Sequence, residues 1–340
     1  TLARLRSSRH DESVRGAAPA AFLDTPLSEP EAEWRTVDVA ALAEFFCNPA
    51  KWLVTRRLGL RLEEREEVLE EVEPFEVESL DGYAIRQGLV ELGLKKVPLQ
   101  DGLRLLRASG RLPLGEAGAV CFRGLQADVQ AFLAQLQPHL GDGYLAPVPV
   151  DYALGEFRLT GEIRRVTARG SLHYRCAGIK AKDLLRFWVQ HLVLNTVLVV
   201  GQASRLSPGR LALEQATAGG TPGLTGETPA PLLKCPVRHK VAMPSAAHAA
   251  VLVGRERALG VPPLDNAPEL LAALLDLYWQ GLTRPLKFFP QTAWAYAEAA
   301  VKQESGESKR DPAGAARLSW EGNSFNRVPG ECEDAYFDLC

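Results

Sequence analysis

At 340 residues, 46% hydrophobic and 24% charged, the chain has enough apolar side chain to bury a full core, in one large domain or two modest ones. Its formal charge of -3 and pI near 6.1 exclude wholesale wrapping of nucleic acid, which depends on counterion release to clustered lysine and arginine, so any DNA contact is local. No apolar run reaches membrane-spanning length, the first ten residues lack a signal's hydrophobic stretch, and the six cysteines form no CxxC pair; no membrane partner, no zinc ribbon, reduced thiols and a cytoplasmic setting are the expectation.

Residues 1–35 mix Ala, Pro, Ser and charge without periodicity and read as a tether or surface strap, leaving 36–340 as the body of the domain. The start at Thr1 rather than Met reads as that of a piece of a longer chain. From Asp38, a helix cap, Leu42, Phe45, Phe46, Trp52 and Leu53 recur at near-helical spacing, and Asn48-Pro49 divides them into two short helices. Nine glutamates between residues 63 and 78 read as a solvated face, with docking to a basic partner as the alternative. Helical pieces are expected at 81–92 and 102–108, followed by the tight connection Gly110-Arg111-Leu112-Pro113-Leu114-Gly115. Leu125, Val129, Phe132, Leu133, Leu136 and Leu140 then mark an amphipathic helix stopping near Pro138.

Beyond Gly141 the period shortens. Phe157-Arg158-Leu159-Thr160, with Ile163 and Val166, leads through a turn at Ala168-Arg169-Gly170 to Leu172-His173-Tyr174-Arg175-Cys176, a predicted β-hairpin. Residues 183–195 are predicted helical and 197–200 a short buried strand, with a Gly/Pro-rich loop insertion at 201–236. Residues 251–253, helices at 268–278 and 292–302, and a polar tail containing Trp320-Glu321-Gly322-Asn323 complete the chain.

Helix, hairpin, helix, strand is the order at the core of restriction-endonuclease-like nucleases, in which two carboxylates and a lysine on the hairpin hold Mg²⁺ and activate water. Gly161-Glu162-Ile163-Arg164 is similar to the Gly-x-Ile-Asp segment of RecB-type nucleases, except that Arg164 stands where the aspartate belongs. The family's second-strand Asp-x-Lys falls on Tyr174 and Cys176 if Gly178 matches the glycine that follows it, or on Cys176 and Gly178 if the strand slides by two residues. Neither register keeps a ligand. A hard divalent cation requires oxygen donors, and Arg164 with Lys180 and Lys182 nearby would repel it. The alternative is a site recruiting Glu162 and Lys180 or Lys182, although Glu162 and Arg164 would share a strand face.

A wider likeness covers residues 36 to the end. Leu42-Ala43-Glu44-Phe45-Phe46 through Asn48-Pro49 to Arg57-Leu58, Glu73-Pro74-Phe75, Gly110 to Gly115, Leu159-Thr160-Gly161, Trp188-Val189-Gln190-His191-Leu192 and Glu321-Gly322-Asn323 together resemble, in order and spacing, the carboxy-terminal nuclease-like domain of the RecC family. The resemblance implies a mixed α/β (α+β) fold with a degenerate restriction-endonuclease-like PD-(D/E)XK core and flanking helices. It implies no catalytic site and no cofactor within the domain, which would serve subunit assembly and DNA guidance in a RecBCD-type helicase-nuclease (exodeoxyribonuclease V). RecB-like and RecD-like partners would use the Mg²⁺ and ATP. An active metal-dependent nuclease and a generic interaction module remain the alternatives.

Several residues carry a plainer reading. His191 and His173 read as structural histidines; Trp188, Trp279, Trp294 and Trp320 as core side chains rather than base-stacking platforms; and Cys47, Cys332 and Cys340 fall short of the four thiolates an iron-sulfur cluster needs. Arg56, Arg57 and Arg61, with Lys51, form a basic patch that could approach phosphate or simply end a helix balanced by the following glutamates; Lys180 and Lys182 are the other candidate nucleic-acid contacts. Gly219-Gly220 is followed by no Gly-Lys-Ser/Thr, so no ATP site is expected.

Overall fold

A computed structural model describes residues 22–23, 25–62, 79–206, 249–323 and 328–340. The chain divides into two compact units, one of residues 32–47 and 65–276, the other of residues 1–31, 48–64 and 277–340.

In the larger unit, strand β1 (Thr36–Asp38) leads into helix α1 (Val39–Cys47). Asp38 Oδ1 accepts hydrogen bonds from the Ala40 and Ala41 amides at 2.8 and 3.1 Å, satisfying two donors of the first helical turn, as its sequence position predicts. Strands β2 (Val148–Leu154) and β3 (Phe157–Ile163) form an antiparallel hairpin, and β1 lies parallel to β3, giving the order β1-β3-β2. A second sheet has the order β4 (Val166–Thr167), β5 (Gly170–Tyr174), β6 (Ala249–Val253), β7 (Ala258–Val261). Within it β5 and β6 are parallel, the other pairs antiparallel, and helix α6 (Ala181–Leu206) lies between β5 and β6 in the chain. Helices α3 (Ser79–Leu94), α4 (Leu99–Ala108) and α5 (Gly115–Leu140) precede the sheets, and α7 (Ala267–Gly281) follows β7. The fold is mixed α/β.

Four expectations change. Strand β3 takes 148–154 as its antiparallel partner and not the 170–174 segment, because Val148 and Val150 alternate with exposed Pro149 and Asp151 and Gly155, at φ +58°, closes the turn; the turn at Ala168-Arg169 joins only the short β4 to β5. Residues 197–200 are helical, continuing α6 to Leu206, since four apolar residues carry no period that separates a buried strand from a buried helix; the rest of the 201–236 segment lies outside the described residues. Helix α5 passes through Pro138 and stops at Gly141, where φ reaches +59°. A helix, α9 (Pro312–Glu321), stands where a polar tail was expected, started by Asp311, whose carboxylate accepts from the Ala313 and Gly314 amides.

The smaller unit is organised around paired helix caps. Asn48 Oδ1 accepts from Lys51 N at 2.8 Å to start α2 (Pro49–Trp52), which runs into a π-helical turn over Leu53–Arg57. Asp334 starts α10 (Ala335–Leu339) by accepting from the Tyr336 and Phe337 amides. The two caps also bond each other, Asn48 Nδ2 donating to Asp334 Oδ2 at 3.0 Å. Beneath them Ala50, Val54, Tyr336 and Phe337 form an apolar cluster joined by Phe289 and Trp320, whose rings stand 4.4 Å apart. Helix α8 (Pro290–Glu304) is capped from outside its own sequence: the Glu331 carboxylate accepts from Gln291 N at 3.0 Å and Thr292 N at 2.8 Å. Strands β8 (Gly322–Asn323) and β9 (Val328–Pro329) form a short antiparallel ribbon. Within the first 31 residues, Leu27 N donates to Thr283 O, and Arg57 donates to both the Ser28 carbonyl and the Glu31 carboxylate.

Asn48→Ala and Asp334→Ala should each lower stability by about 1–2 kcal/mol, and the double variant should lose less than the sum, because each single change already breaks the shared bond. Urea unfolding of the four proteins of that cycle measures the coupling.

Candidate functional site

The positions matched in sequence to the second-strand ligands of RecB-type nucleases lie on and just beyond β5, whose alternate side chains take opposite faces. Leu172, Tyr174 and Cys176 share one hydrophobic core with Ile85 and Leu89 of α3 and Phe122, Val129 and Phe132 of α5. The Tyr174 ring centre is 6.5 Å from that of Phe132, and the Arg165 guanidinium sits 4.5 Å from it. Cys176 is 1% exposed and its amide donates to Gln87 Oε1 at 3.2 Å. Burial pushes the Tyr174 phenol and the Cys176 thiol up, against the opposing pull of Arg165 on the first and of Arg86 and Arg255 on the second. Burial also takes the neighbouring Tyr144 phenol to about 12. Gly178 is exposed beyond the strand end. In either register, the face that would hold a cation is aromatic, sulfur or bare backbone.

Around this core the carboxylates are taken up by guanidinium groups. Asp128 stands 2.9 Å from Arg86 and 3.8 Å from Arg255, Asp183 3.2 Å from Arg175, and Glu91 4.0 Å from Arg165. Asp183 also accepts from Lys180 N at 2.9 Å, closing the first turn of α6. Glu162 bonds Arg164 Nε at 2.6 Å, with the Arg164 side chain 76% exposed. The cation seated on Tyr174 is therefore Arg165, one residue beyond the position singled out from sequence. Arg165 reaches it from a left-handed backbone at φ +61°. Lys180 is exposed, and the Lys182 carbonyl accepts from the Cys47 thiol, which burial pushes up to about 11. Among the described residues, no group of three or more His, Cys, Asp and Glu is placed to hold a metal ion.

The glycine of the first-strand motif has a local reason. Gly161 adopts φ +117°, and a Cβ there would stand 2.5 Å from Asp38 Oδ2, so a side chain would displace the carboxylate that caps α1.

On the opposite face of β5, His173 packs edge-on against Phe187 of α6, ring centres 5.4 Å apart, and His191 stacks on Phe187 at 6.3 Å. His191 Nε2 lies 3.0 Å from the Pro262 carbonyl, and Asn195 holds Leu264 N through its Oδ1. His173 Nε2 is closed off from solvent with no hydrogen-bond partner among the described residues. Burial, helped by Arg165 and then His191, pushes its pKa down to about 4.

Of the candidate nucleic-acid contacts, Arg56 lies over the Trp52 ring at 5.5 Å and Lys51 over the Tyr336 ring at 5.1 Å. Arg57 is held by Ser28 and Glu31, and Arg61 is exposed. These belong to the smaller unit, Lys180 and Lys182 to the larger. The glutamates at 63–78 lie outside the described residues. Sequence reasoning missed Arg165, Arg175, Asp128 and Gln87. The only signal was the Arg164-Arg165 doublet and single charges on otherwise amphipathic helices.

Residues 34–301 match the family described as the RecC C-terminal domain. Among curated proteins the chain is similar to the RecBCD enzyme subunit RecC of Escherichia coli (strain K12), 25% identical over 182 residues covering 53% of this chain. It is likewise similar to the RecBCD enzyme subunit RecC of Haemophilus influenzae (strain ATCC 51907 / DSM 11121 / KW20 / Rd), 25% identical over 165 residues covering 46% of this chain. The aligned region spans 16% and 14% of those relatives' lengths.

Tyr174→Asp, which places a carboxylate at the position matched to a nuclease ligand, should destabilise the protein by about 3–5 kcal/mol through lost ring packing and a buried charge. Titration calorimetry with Mn²⁺ should detect no gain in affinity. Acid should also weaken the fold through His173. Its folded pKa lies below the unfolded value of about 6.5, so the unfolded state binds the extra proton between them. Stability is full above that value and falls as pH drops toward 4, by up to roughly 3 kcal/mol; His173→Leu should flatten this part of the stability-pH curve measured by urea unfolding.

Proposed function

Because the chain belongs to the RecC C-terminal domain family, we propose that it is a noncatalytic domain serving subunit assembly and DNA guidance, including strand separation, in a RecBCD-type helicase-nuclease. Its setting is cytoplasmic repair and recombination at double-strand breaks. Its partners are RecB-like and RecD-like subunits, which use the Mg²⁺ and ATP, and the DNA they process. Among the described residues no helix is long and apolar enough to cross a membrane.

One observation carries the noncatalytic reading: the second-strand side chains at ligand positions are packed into hydrocarbon while neighbouring acids are matched by arginines. A divalent ion needs several anionic oxygens free to turn toward it. Withdrawing Asp183 from Arg175, both side chains less than a fifth exposed, would leave a guanidinium without its charge, at a cost a weakly held ion does not offset. The descent of the fold from a PD-(D/E)XK nuclease draws support from the element order α1, β2-β3, β5, α6, β6, with β5 and β6 parallel across a helical crossover.

Purified protein incubated with linear DNA and Mg²⁺ or Mn²⁺ should give no cleavage above buffer, and co-expression of the full-length gene with its RecB-like and RecD-like companions should yield one co-purifying complex. Metal-dependent cutting abolished by Glu162→Ala would replace this reading with that of an active nuclease.

A further inference from the structure

Residues 25–31, expected from sequence to belong to a tether, are fastened to the smaller unit at defined atoms. Pro26 and Pro30 hold two of the segment's φ angles at roughly -65°, and residues 26–31 enter neither helix nor strand. Leu27 N donates to Thr283 O at 2.8 Å, just past the end of α7. Arg57, the last residue of the π-helical turn, supplies the other hold: its Nη1 donates to Glu31 Oε2 at 2.9 Å and its Nη2 to the Ser28 carbonyl at 3.2 Å. One planar guanidinium thus grips a backbone oxygen and a carboxylate at once, a fork geometry that the compact ammonium of lysine does not reproduce.

The grip is lopsided. The Arg57 side chain is 12% exposed, whereas that of Glu31 is 66% exposed. The donor is set into the body of the unit while the acceptor stands in water, so separation begins at Glu31. A hydrated carboxylate loses little on release, and water reaches the guanidinium as the segment lifts. The same exposure leaves the pair open to screening by salt. The two prolines restrict the released chain, so less conformational freedom is lost each time it closes.

Anchors on either side confine the movement. Phe22 packs against the apolar cluster of the smaller unit. Beyond residue 31, Arg35 bonds the Glu156 carboxylate between β2 and β3 and lies 5.6 Å from the Phe157 ring centre, a fastening wholly within the larger unit. Lifting residues 25–31 breaks neither.

We propose that residues 25–31 are a strap that opens and closes as one piece on the smaller unit, clasped by Arg57 and loosened by ionic strength, while the helix caps and apolar cluster of that unit stay formed. Local opening of this kind requires less free energy than global unfolding because it exposes little apolar surface. The strap is independent of the noncatalytic and assembly readings above.

Hydrogen exchange of the full-length protein, followed by mass spectrometry, tests it by comparing the peptide spanning residues 25–31 with one from α8. In Arg57→Ala the strap peptide should exchange roughly tenfold or more faster than in the parent. Glu31→Gln, which keeps the bond to Ser28, should give a smaller increase, and α8 should exchange at the parental rate in both variants. Added salt should speed strap exchange in the parent and leave that of Arg57→Ala unchanged. Parental exchange of the strap in Arg57→Ala would show that Arg57 is not the clasp. Equal acceleration of the strap and α8 in both variants would show that the segment does not open separately, and strap exchange in the parent that ignores salt would remove the ionic control.

Discussion

A strand face can coordinate a hard divalent cation or carry a layer of hydrocarbon, but not both, because the oxygens the cation requires are the groups hydrocarbon excludes. In this chain β5 is committed to hydrocarbon. Leu172, Tyr174 and Cys176 close one side of a core whose other side is α3 and α5. The arrangement of the larger unit follows: the helices dock because the strand offers apolar surface, and the strand stays dry because they dock. A carboxylate placed on this face would meet the ring of Phe132 and the Arg165 guanidinium seated on Tyr174.

The arginines complete this commitment. The acids at the edge of this core sit beside guanidinium groups, Asp128 with Arg86 and Arg255, Asp183 with Arg175 and Glu91 with Arg165, and the Asp183–Arg175 pair is the one withdrawn from water, where a lone charge costs most. Asp183 shows how closely function and structure compete for one group, since its carboxylate also closes the first turn of α6. The buried polar groups behind the strand are arranged in the same spirit, with His191 and Asn195 tying α6 to the chain at Pro262 and Leu264.

The smaller unit obeys a different economy. Beside its apolar cluster, long-range polar caps hold its segments together: Asn48 with Asp334, and Glu331 on the amides that open α8. Each joins segments far apart in sequence through donors that a helix end cannot satisfy by itself.

Local chemistry was readable from residues alone. Asp38 as a cap, the break at Asn48-Pro49, the apolar stripe of α5 and the arginine at the end of Gly161-Glu162-Ile163-Arg164 all depend on neighbours within a few positions. The family likeness, carried by the order and spacing of short motifs along the chain, was readable as well, and with it the mixed α/β class. Tertiary structure decided which strand β3 pairs with, that residues 197–200 continue a helix, that Arg165 and not Arg164 covers Tyr174, and which helices bury Cys176. Periodicity tells how a segment can bury one face, whereas the partner that covers it is chosen by packing between residues tens of positions apart, and no local pattern encodes that choice.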